Sequence, residues 1–127
     1  MTSILDTNVL LRFLVGDHKK QKDQAITWFK EAANGERVIV VKPLVIAEAV
    51  FVLESFYKHS REDIVSSMLP LLAMPVLDVE ERDVLVHLWD EFLSGLHFVD
   101  AYLLTAAKRT DQTLLSFDKQ LIRRAHS

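Results

Sequence analysis

The stretch Thr2-Ser3-Ile4-Leu5-Asp6-Thr7-Asn8 decides the fold of this chain. It is a short apolar run that ends on a carboxylate, and an amphipathic segment follows it, so the pattern predicts a strand, an acidic tip and a helix. Ligands of open α/β sheets bind just outside the carboxyl ends of the strands, which is where Asp6 would lie. For one isolated Asp, a turn or a helix N-cap is the simpler interpretation.

The composition is typical of one compact, helix-rich domain. The chain has 127 residues, of which 50% are hydrophobic, with only 3 Gly and 3 Pro, and this length can bury a sizeable core. The absence of cysteine excludes a disulfide framework and a thiolate metal site. With no signal peptide and no apolar run of about 20 residues, we expect a cytoplasmic protein without membrane contact. The net charge of -3 argues against a generally basic nucleic-acid coat.

Strand-like and helix-like segments alternate along the chain. Apolar or β-branched runs at 2–5, 37–41, 75–77 and 113–117 predict four strands, and the segments between them predict about seven helices. Alternation of this kind predicts a parallel sheet with right-handed crossovers. Because no repeat or linker interrupts it, residues 1–127 are predicted to form a single domain.

Glu48 is the most informative acid in the sequence. It falls in the segment 43–53, which is apolar nearly all round and therefore predicts a buried helix. Leu44 and Phe51 are among its neighbours one turn away, and no Lys or Arg stands at a helical position that could pair with it. An unpaired carboxylate buried there would be strongly destabilising or would take up a proton. A salt bridge to a distant Arg, or an exposed helix end, is the alternative.

Two later acids extend this pattern. Asp100 stands among apolar residues of a predicted helix, where it is a poor helix former unless it lies in the first turn. Asp118 stands at a predicted strand-to-helix junction and is by itself most simply an N-cap. If Asp6, Glu48, Asp100 and Asp118 share one cleft, their charges repel unless a cation neutralises them. Oxygen ligands select a hard ion such as Mg²⁺ or Mn²⁺, which predicts metal-assisted phosphodiester hydrolysis.

Four motifs resemble the PIN-domain ribonucleases, and among them the toxin subunits of VapBC-type toxin-antitoxin pairs. They are Ile4-Leu5-Asp6-Thr7-Asn8-Val9-Leu10, Ile46-Ala47-Glu48, Phe98-Val99-Asp100-Ala101 and Leu115-Ser116-Phe117-Asp118. Each motif alone is common, but their order and spacing span nearly the whole chain. The resemblance implies a three-layer α/β domain whose parallel sheet has four or five strands in the order 3-2-1-4 or 3-2-1-4-5.

The resemblance also implies a reaction, partners and roles for single residues. The reaction is endonucleolytic hydrolysis of RNA, and the partners are a cognate antitoxin and a second copy of the chain, in a homodimer and a toxin-antitoxin hetero-oligomer. The catalytic residues, which also bind one or two Mg²⁺ or Mn²⁺ ions, are Asp6, Glu48, Asp100 and Asp118. Asn8 would order the loop or a water, and Ser116 would hydrogen-bond a neighbouring carboxylate or the water. We expect four basic residues to contact RNA: Arg12, Lys42, Lys119 and Arg123.

Two departures from the family pattern leave the number of metal ions and the number of strands open. Many relatives have an acid three residues before the later helical Asp, whereas this chain has His97. The lost negative charge leaves the number of metal ions open, although His97 would itself be able to ligate a metal or bind phosphate. The family often adds a fifth strand near its C-terminus, and the sequence here predicts only four.

Two other functions remain open at this stage. A PIN-like scaffold could bind RNA or protein without catalysis, and the departure at His97 favours that alternative. A phosphatase could use Asp6 as a phosphorylated nucleophile. Enzymes that resemble the haloacid dehalogenases carry a second Asp two residues after the first, however, and this chain has Asn8 there.

Overall fold

A computed structural model describes residues 1–126, which form two compact units, Met1–Glu80 and the residues from Glu81 onward. The first unit contains strands β1 (Thr2–Ile4), β2 (Val38–Val41) and β3 (Leu77–Val79), and helices α1 (Thr7–Val15), α2 (Lys19–Ala33), α3 (Pro43–Ser55) and α4 (Arg61–Leu72). The second contains helices α5 (Arg82–His87), α6 (Trp89–Leu93), α7 (Phe98–Arg109) and α8 (Lys119–Ala125). No helix among these residues has both the length and the apolar character of a membrane span. The single domain over 1–127 stays a prediction.

The sheet of the first unit is parallel throughout, with β2 in the middle. Thr2 of β1 is opposite Val38 of β2, and Ile39 of β2 is opposite Leu77 of β3. Ile39 and Val41 are buried, as expected of β-branched residues in a central strand. The order β1-β2-β3 confirms the parallel α/β class and the 3-2-1 part of the predicted topology.

The predicted fourth strand over 113–117 is wrong, and the part of the chain that the structure describes has three strands rather than four or five. Leu115 is 91% exposed and Phe117 is fully exposed, whereas the strands of a parallel sheet are buried on both faces. The backbone N–H of Asp118 donates to Ser116 Oγ at 3.0 Å. Such local side-chain bonds compete with a sheet ladder, which explains why this short run forms no strand.

The core of the first unit lies where α1 packs against α2 and α3. Leu10 and Leu11 of α1 are buried, and removing a side chain of this kind costs about 2–5 kcal/mol. Phe13 of α1 and Phe29 of α2 lie with their ring centroids 4.3 Å apart. Gly16 caps the C-terminal end of α1, and its φ of 74° is the left-handed conformation that glycine adopts without strain. These contacts fix the helix that begins beside Asp6.

The second unit is held by aromatic packing between α6 and α7. The ring centroids of Trp89 and Phe92 lie 5.6 Å apart, and those of Trp89 and Phe98 lie 5.7 Å apart. Phe92 and Leu104 are fully buried. This cluster fixes the start of α7, the helix that carries Asp100.

Candidate functional site

Asp6 lies between the end of β1 and the start of α1. Its backbone has the extended conformation of an N-cap, with φ of -88° and ψ of 149°, but its carboxylate makes no capping hydrogen bond. The residue is exposed, and no Lys or Arg of the described residues lies within 4.0 Å of it. The capping role, which is the simpler interpretation of the sequence, is therefore not fulfilled, and the carboxylate is available to a ligand.

The backbone around Asp6 is nevertheless fixed on both sides. The N–H of Leu5 donates to the carbonyl of Val40 at 2.9 Å, which joins the end of β1 to β2. The carbonyl of Asp6 accepts from the N–H of Leu10 at 3.2 Å, which begins the helix. The carboxylate thus extends from a fixed backbone without itself holding the fold together.

The prediction that Glu48 is buried is wrong. Helix α3 has an exposed stripe on which Leu44 is 81% exposed, Phe51 is 68% exposed and Glu48 is also exposed. The spacing i, i+4, i+7 places these three residues on one face, while the other face buries Ile46, Ala49, Val50 and Leu53. Glu48 therefore does not need a cation to compensate for burial, and only its position argues for a functional role.

Thr7, the first residue of α1, lines the same cavity as Glu48. Thr7 is buried, directly follows Asp6, and lines a cavity of about 440 Å³ together with Glu48 and Phe51. A second cavity, of about 390 Å³, is lined by Asp6, Ser3 and Arg37 and by apolar residues that include Trp28 of α2. The two predicted ligands of the first unit thus lie at cavities on neighbouring parts of the surface around α1.

Asp100 lies in the first turn of α7 and is half-buried. A carboxylate in a first turn is stabilised by the partial positive charge of the helix N-terminus. His97 precedes this helix as its N-cap, is exposed, and makes no capping hydrogen bond with its side chain. Neither side chain is engaged by a charged partner among the described residues, so both are available to a ligand.

Asp118 is used by the backbone of α8. Its Oδ1 accepts from the N–H of Gln120 at 3.0 Å and from the N–H of Leu121 at 3.1 Å. The Oγ of Ser116 accepts a hydrogen bond from the backbone N–H of Asp118. Among the described residues, Ser116 therefore bonds to a backbone group and not to the predicted carboxylate. Asp118 is an N-cap, as the simpler interpretation of the sequence held, and only its Oδ2 is left without such a bond.

Metal ligation by the four acids stays a prediction. Asp6 and Glu48 belong to the first unit, and Asp100 and Asp118 belong to the second. Within each unit, residues 1–126 contain no group of three or more His, Asp or Glu side chains placed to hold a metal ion. The chemistry of the donors fits a hard cation, because all four offer carboxylate oxygens and three of them have no competing ion pair or cap.

Two of the predicted RNA contacts have acidic partners. Arg12 Nη1 lies 3.3 Å from Asp17 Oδ1, and Lys42 Nζ lies 2.8 Å from Glu80 Oε2. The hydroxyl of Tyr57 donates to Asp17 Oδ2 at 2.7 Å and, with the charge of Arg12, holds the pKa of Asp17 below its ordinary value. These pairs reduce the positive charge that Arg12 and Lys42 offer to a phosphate.

The other two predicted RNA contacts are on α8. Lys119 and Arg123 are both exposed, and neither has an acidic partner within 4.0 Å among residues 1–126. They are thus the better placed of the four to bind phosphate.

Our reading of the sequence missed three residues of α2 that line a cleft facing α1. Gln21, Gln24 and Trp28 enclose a cavity of about 210 Å³ together with Asn8 and Arg12. Their spacing of i, i+3 and i+7 puts them on one helical face. That amide-amide-tryptophan pattern was the signal in the sequence that could have identified the cleft.

Comparison with known proteins agrees with the resemblance inferred from the motifs. The family model described as PIN domain matches residues 3–127. Over 77 residues the chain is 35% identical to a protein named VapC ribonuclease from Aquifex aeolicus (strain VF5), a stretch that covers 61% of this chain and 56% of that protein. The chain thus spans little more than half the length of this curated relative, and no solved structure matches significantly. Because the family match covers nearly the whole sequence, the chain belongs to the PIN domain family.

Proposed function

We propose that this protein is a metal-dependent endoribonuclease that hydrolyses the phosphodiester bonds of RNA. Membership of the PIN domain family and similarity to a protein named VapC ribonuclease support this function. The observation that carries it is the carboxylate of Asp6, which lies between β1 and α1 and makes neither a capping hydrogen bond nor an ion pair with the described residues. A carboxylate that the fold does not use, at the carboxyl end of a parallel strand, is suited to binding a ligand.

Asp6, Glu48, Asp100 and Asp118 would hold one or two Mg²⁺ or Mn²⁺ ions. Such a metal neutralises charge on a phosphate and lowers the pKa of water. The fixed backbone on both sides of Asp6 orients its carboxylate before any ligand binds. Asp118 keeps Oδ1 on the N-terminus of α8 and would offer Oδ2.

Three further residues would support this site. Asn8 is exposed in the first turn of α1 and would order the surroundings of Asp6. Ser116 fixes the backbone of Asp118 through the N–H that it accepts. The exposed His97 would donate a hydrogen bond to a phosphate oxygen.

We further propose that the protein is the toxin of a type II toxin-antitoxin pair, acts in the cytoplasm as a homodimer, and is neutralised by a cognate antitoxin. Exposed apolar side chains near α3 support a partner surface: Leu44 is 81% exposed, Phe51 is 68% exposed and Phe56 is 72% exposed. Leu44 and Phe51 line one cavity, and contiguous exposed apolar patches are typical of protein interaction sites.

The direct test of the proposed reaction is RNA cleavage by the full chain in the presence of Mn²⁺. We expect Asp6→Asn to lower the rate of cleavage at least about 100-fold. Removing a residue that only supports a metal ligand already costs up to about 100-fold, and Asp6 would be a ligand itself. Asp23→Asn is the matched control, because Asp23 is an exposed acid of α2 whose partner is the exposed Lys19. Full activity of Asp6→Asn would contradict the proposal.

A second candidate is a module that binds RNA without cutting it. The absence of a three-acid group within either unit, among the described residues, favours it. Calorimetric titration with Mn²⁺ separates the two candidates. Binding that is lost in Asp6→Asn supports the nuclease, and no heat at millimolar metal supports the binding module.

A further inference from the structure

We propose that the cleft between α1 and α2 binds one unpaired nucleobase of the RNA substrate, an inference that rests on the proposed ribonuclease function. The cleft has a volume of about 210 Å³ and is lined by Asn8, Val9, Arg12, Gln21, Gln24 and Trp28. All six residues lie within the first unit.

The two walls of the cleft are fixed relative to each other. Helices α1 and α2 pack together, and the rings of Phe13 and Phe29 contact each other with centroids 4.3 Å apart. The cleft is thus formed before a ligand arrives, which lowers the entropy lost on binding.

Trp28 offers the surface on which a base would stack. It is half-buried, and none of the aromatic contacts among the described residues involves it, so its indole face has no aromatic partner. Aromatic side chains bind unpaired bases by stacking on their faces, whichever base is present. Trp28 would therefore supply affinity rather than sequence preference.

Asn8 and Gln24 offer the groups that would distinguish one base from another. Both are exposed, and neither side-chain amide has a hydrogen-bond partner among residues 1–126. An amide presents a donor and an acceptor side by side, which suits the edge of a nucleobase. Two unpaired amides beside a tryptophan favour a nucleobase over a protein side chain as occupant.

Arg12 is held in place by its neighbours. Its Nε donates to Gln21 Oε1 at 2.8 Å, and its Nη1 lies 3.3 Å from both Asp17 Oδ1 and Tyr57 Oη. Asp17 balances its charge, while Nη2 makes none of these bonds. Arg12 would therefore act as an oriented donor in the cleft more than as a phosphate contact.

The cleft continues towards Asp6. Val9 and Trp28 line both this cleft and the 390 Å³ cavity to which Asp6 contributes. The first turn of α2 carries Lys19, which pairs with Asp23 at 3.1 Å. The neighbouring Lys20 is exposed and has no acidic partner within 4.0 Å among residues 1–126, so it would attract the RNA backbone. A base in the cleft would place a neighbouring phosphate on the side of Asp6.

The test is binding of short single-stranded RNA homopolymers of A, C and U to the full chain, measured by fluorescence anisotropy in EDTA so that no cleavage occurs. We expect Trp28→Ala to weaken binding of all three about tenfold, within the range for one lost stack, and Trp28→Phe to retain most of it. Gln24→Ala should reduce the difference between the homopolymers, by up to about tenfold. Thr27→Ala is the matched control, since Thr27 is exposed on the same helix outside the cleft.

Several outcomes would overturn the cleft as a base site: no binding by the parent chain, unchanged affinity of Trp28→Ala, or an unchanged preference of Gln24→Ala. If Trp28→Ala fails to fold, Gln24→Ala decides. Unchanged RNA binding in both variants, together with normal Mn²⁺-dependent cleavage, would contradict base binding in the cleft but not the proposed reaction. Binding that follows these expectations in a chain that cleaves no RNA would overturn the proposed reaction and leave the cleft standing.

Discussion

The chain contains two junctions of the same pattern, an apolar run, an Asp and a helix, and the structure makes them different. At the first, Leu5 is buried and joined to β2 through the carbonyl of Val40, and Asp6 caps nothing. At the second, Phe117 is fully exposed, and Asp118 caps α8 with its own carboxylate. A junction that is held by long-range contacts leaves its carboxylate available, whereas a junction held by local bonds uses it.

The largest effect on stability is expected from the core behind the first junction. Leu10→Ala removes a fully buried side chain and should lower the free energy of unfolding by about 2–5 kcal/mol. Leu115→Ala is the counterpart at the second junction and should change it by no more than about 0.5 kcal/mol, because the side chain is 91% exposed. Urea unfolding of both variants measures the difference, and equal losses would contradict the contrast.

The next largest effect on stability is expected from the capping hydrogen bonds at the second junction. Asp118→Ala removes the acceptor of the Gln120 and Leu121 N–H groups and should destabilise the chain by about 1 kcal/mol. Asp6→Ala removes no capping bond and should leave the free energy of unfolding within about 0.5 kcal/mol of the parent chain. A larger loss of unfolding free energy in Asp6→Ala than in Asp118→Ala would contradict the conclusion that Asp118 caps its helix and Asp6 does not.

A smaller, pH-dependent effect is expected in the second unit. Burial, with a hydrogen bond to Glu81, raises the pKa of Tyr102 to about 12. The unfolded chain loses this proton near pH 10, so the contribution is complete below pH 10 and lost as pH rises towards 12. Tyr102 is half-buried, and screening by solvent limits the effect to about 1 kcal/mol. Tyr102→Phe should unfold with a flatter pH profile in this range, and an identical profile would contradict this role.

The sequence predicted those parts of the fold that depend on strong local patterns. The β-branched run around Ile39, the acidic tip at Asp6 and the alternation of strands and helices were enough for a parallel sheet in the order 3-2-1. The fourth strand failed because Leu115 and Phe117 have the composition of a buried strand without the long-range partner that such a strand needs.

The prediction of the site residues has the same limit, because local sequence patterns do not show long-range packing. Glu48 was predicted to be buried because its helix is apolar nearly all round, and such a helix has too weak a polar face to indicate which side packs inward. The structure buries Ile46 and Ala49 and leaves Leu44 and Phe51 in water. Whether an Asp caps its helix is likewise decided by geometry, so the sequence alone could not separate Asp6 from Asp118.

We propose that Asp6 binds the metal with a carboxylate that the fold does not use. Thermal unfolding of the parent chain and of Asp6→Asn, each with and without Mn²⁺, tests it most directly. With Mn²⁺ at about 100 times its dissociation constant, the parent chain should gain about 2.7 kcal/mol, and Asp6→Asn should match the parent without metal but lose most of that gain. Equal stabilisation of both chains by Mn²⁺ would contradict the claim.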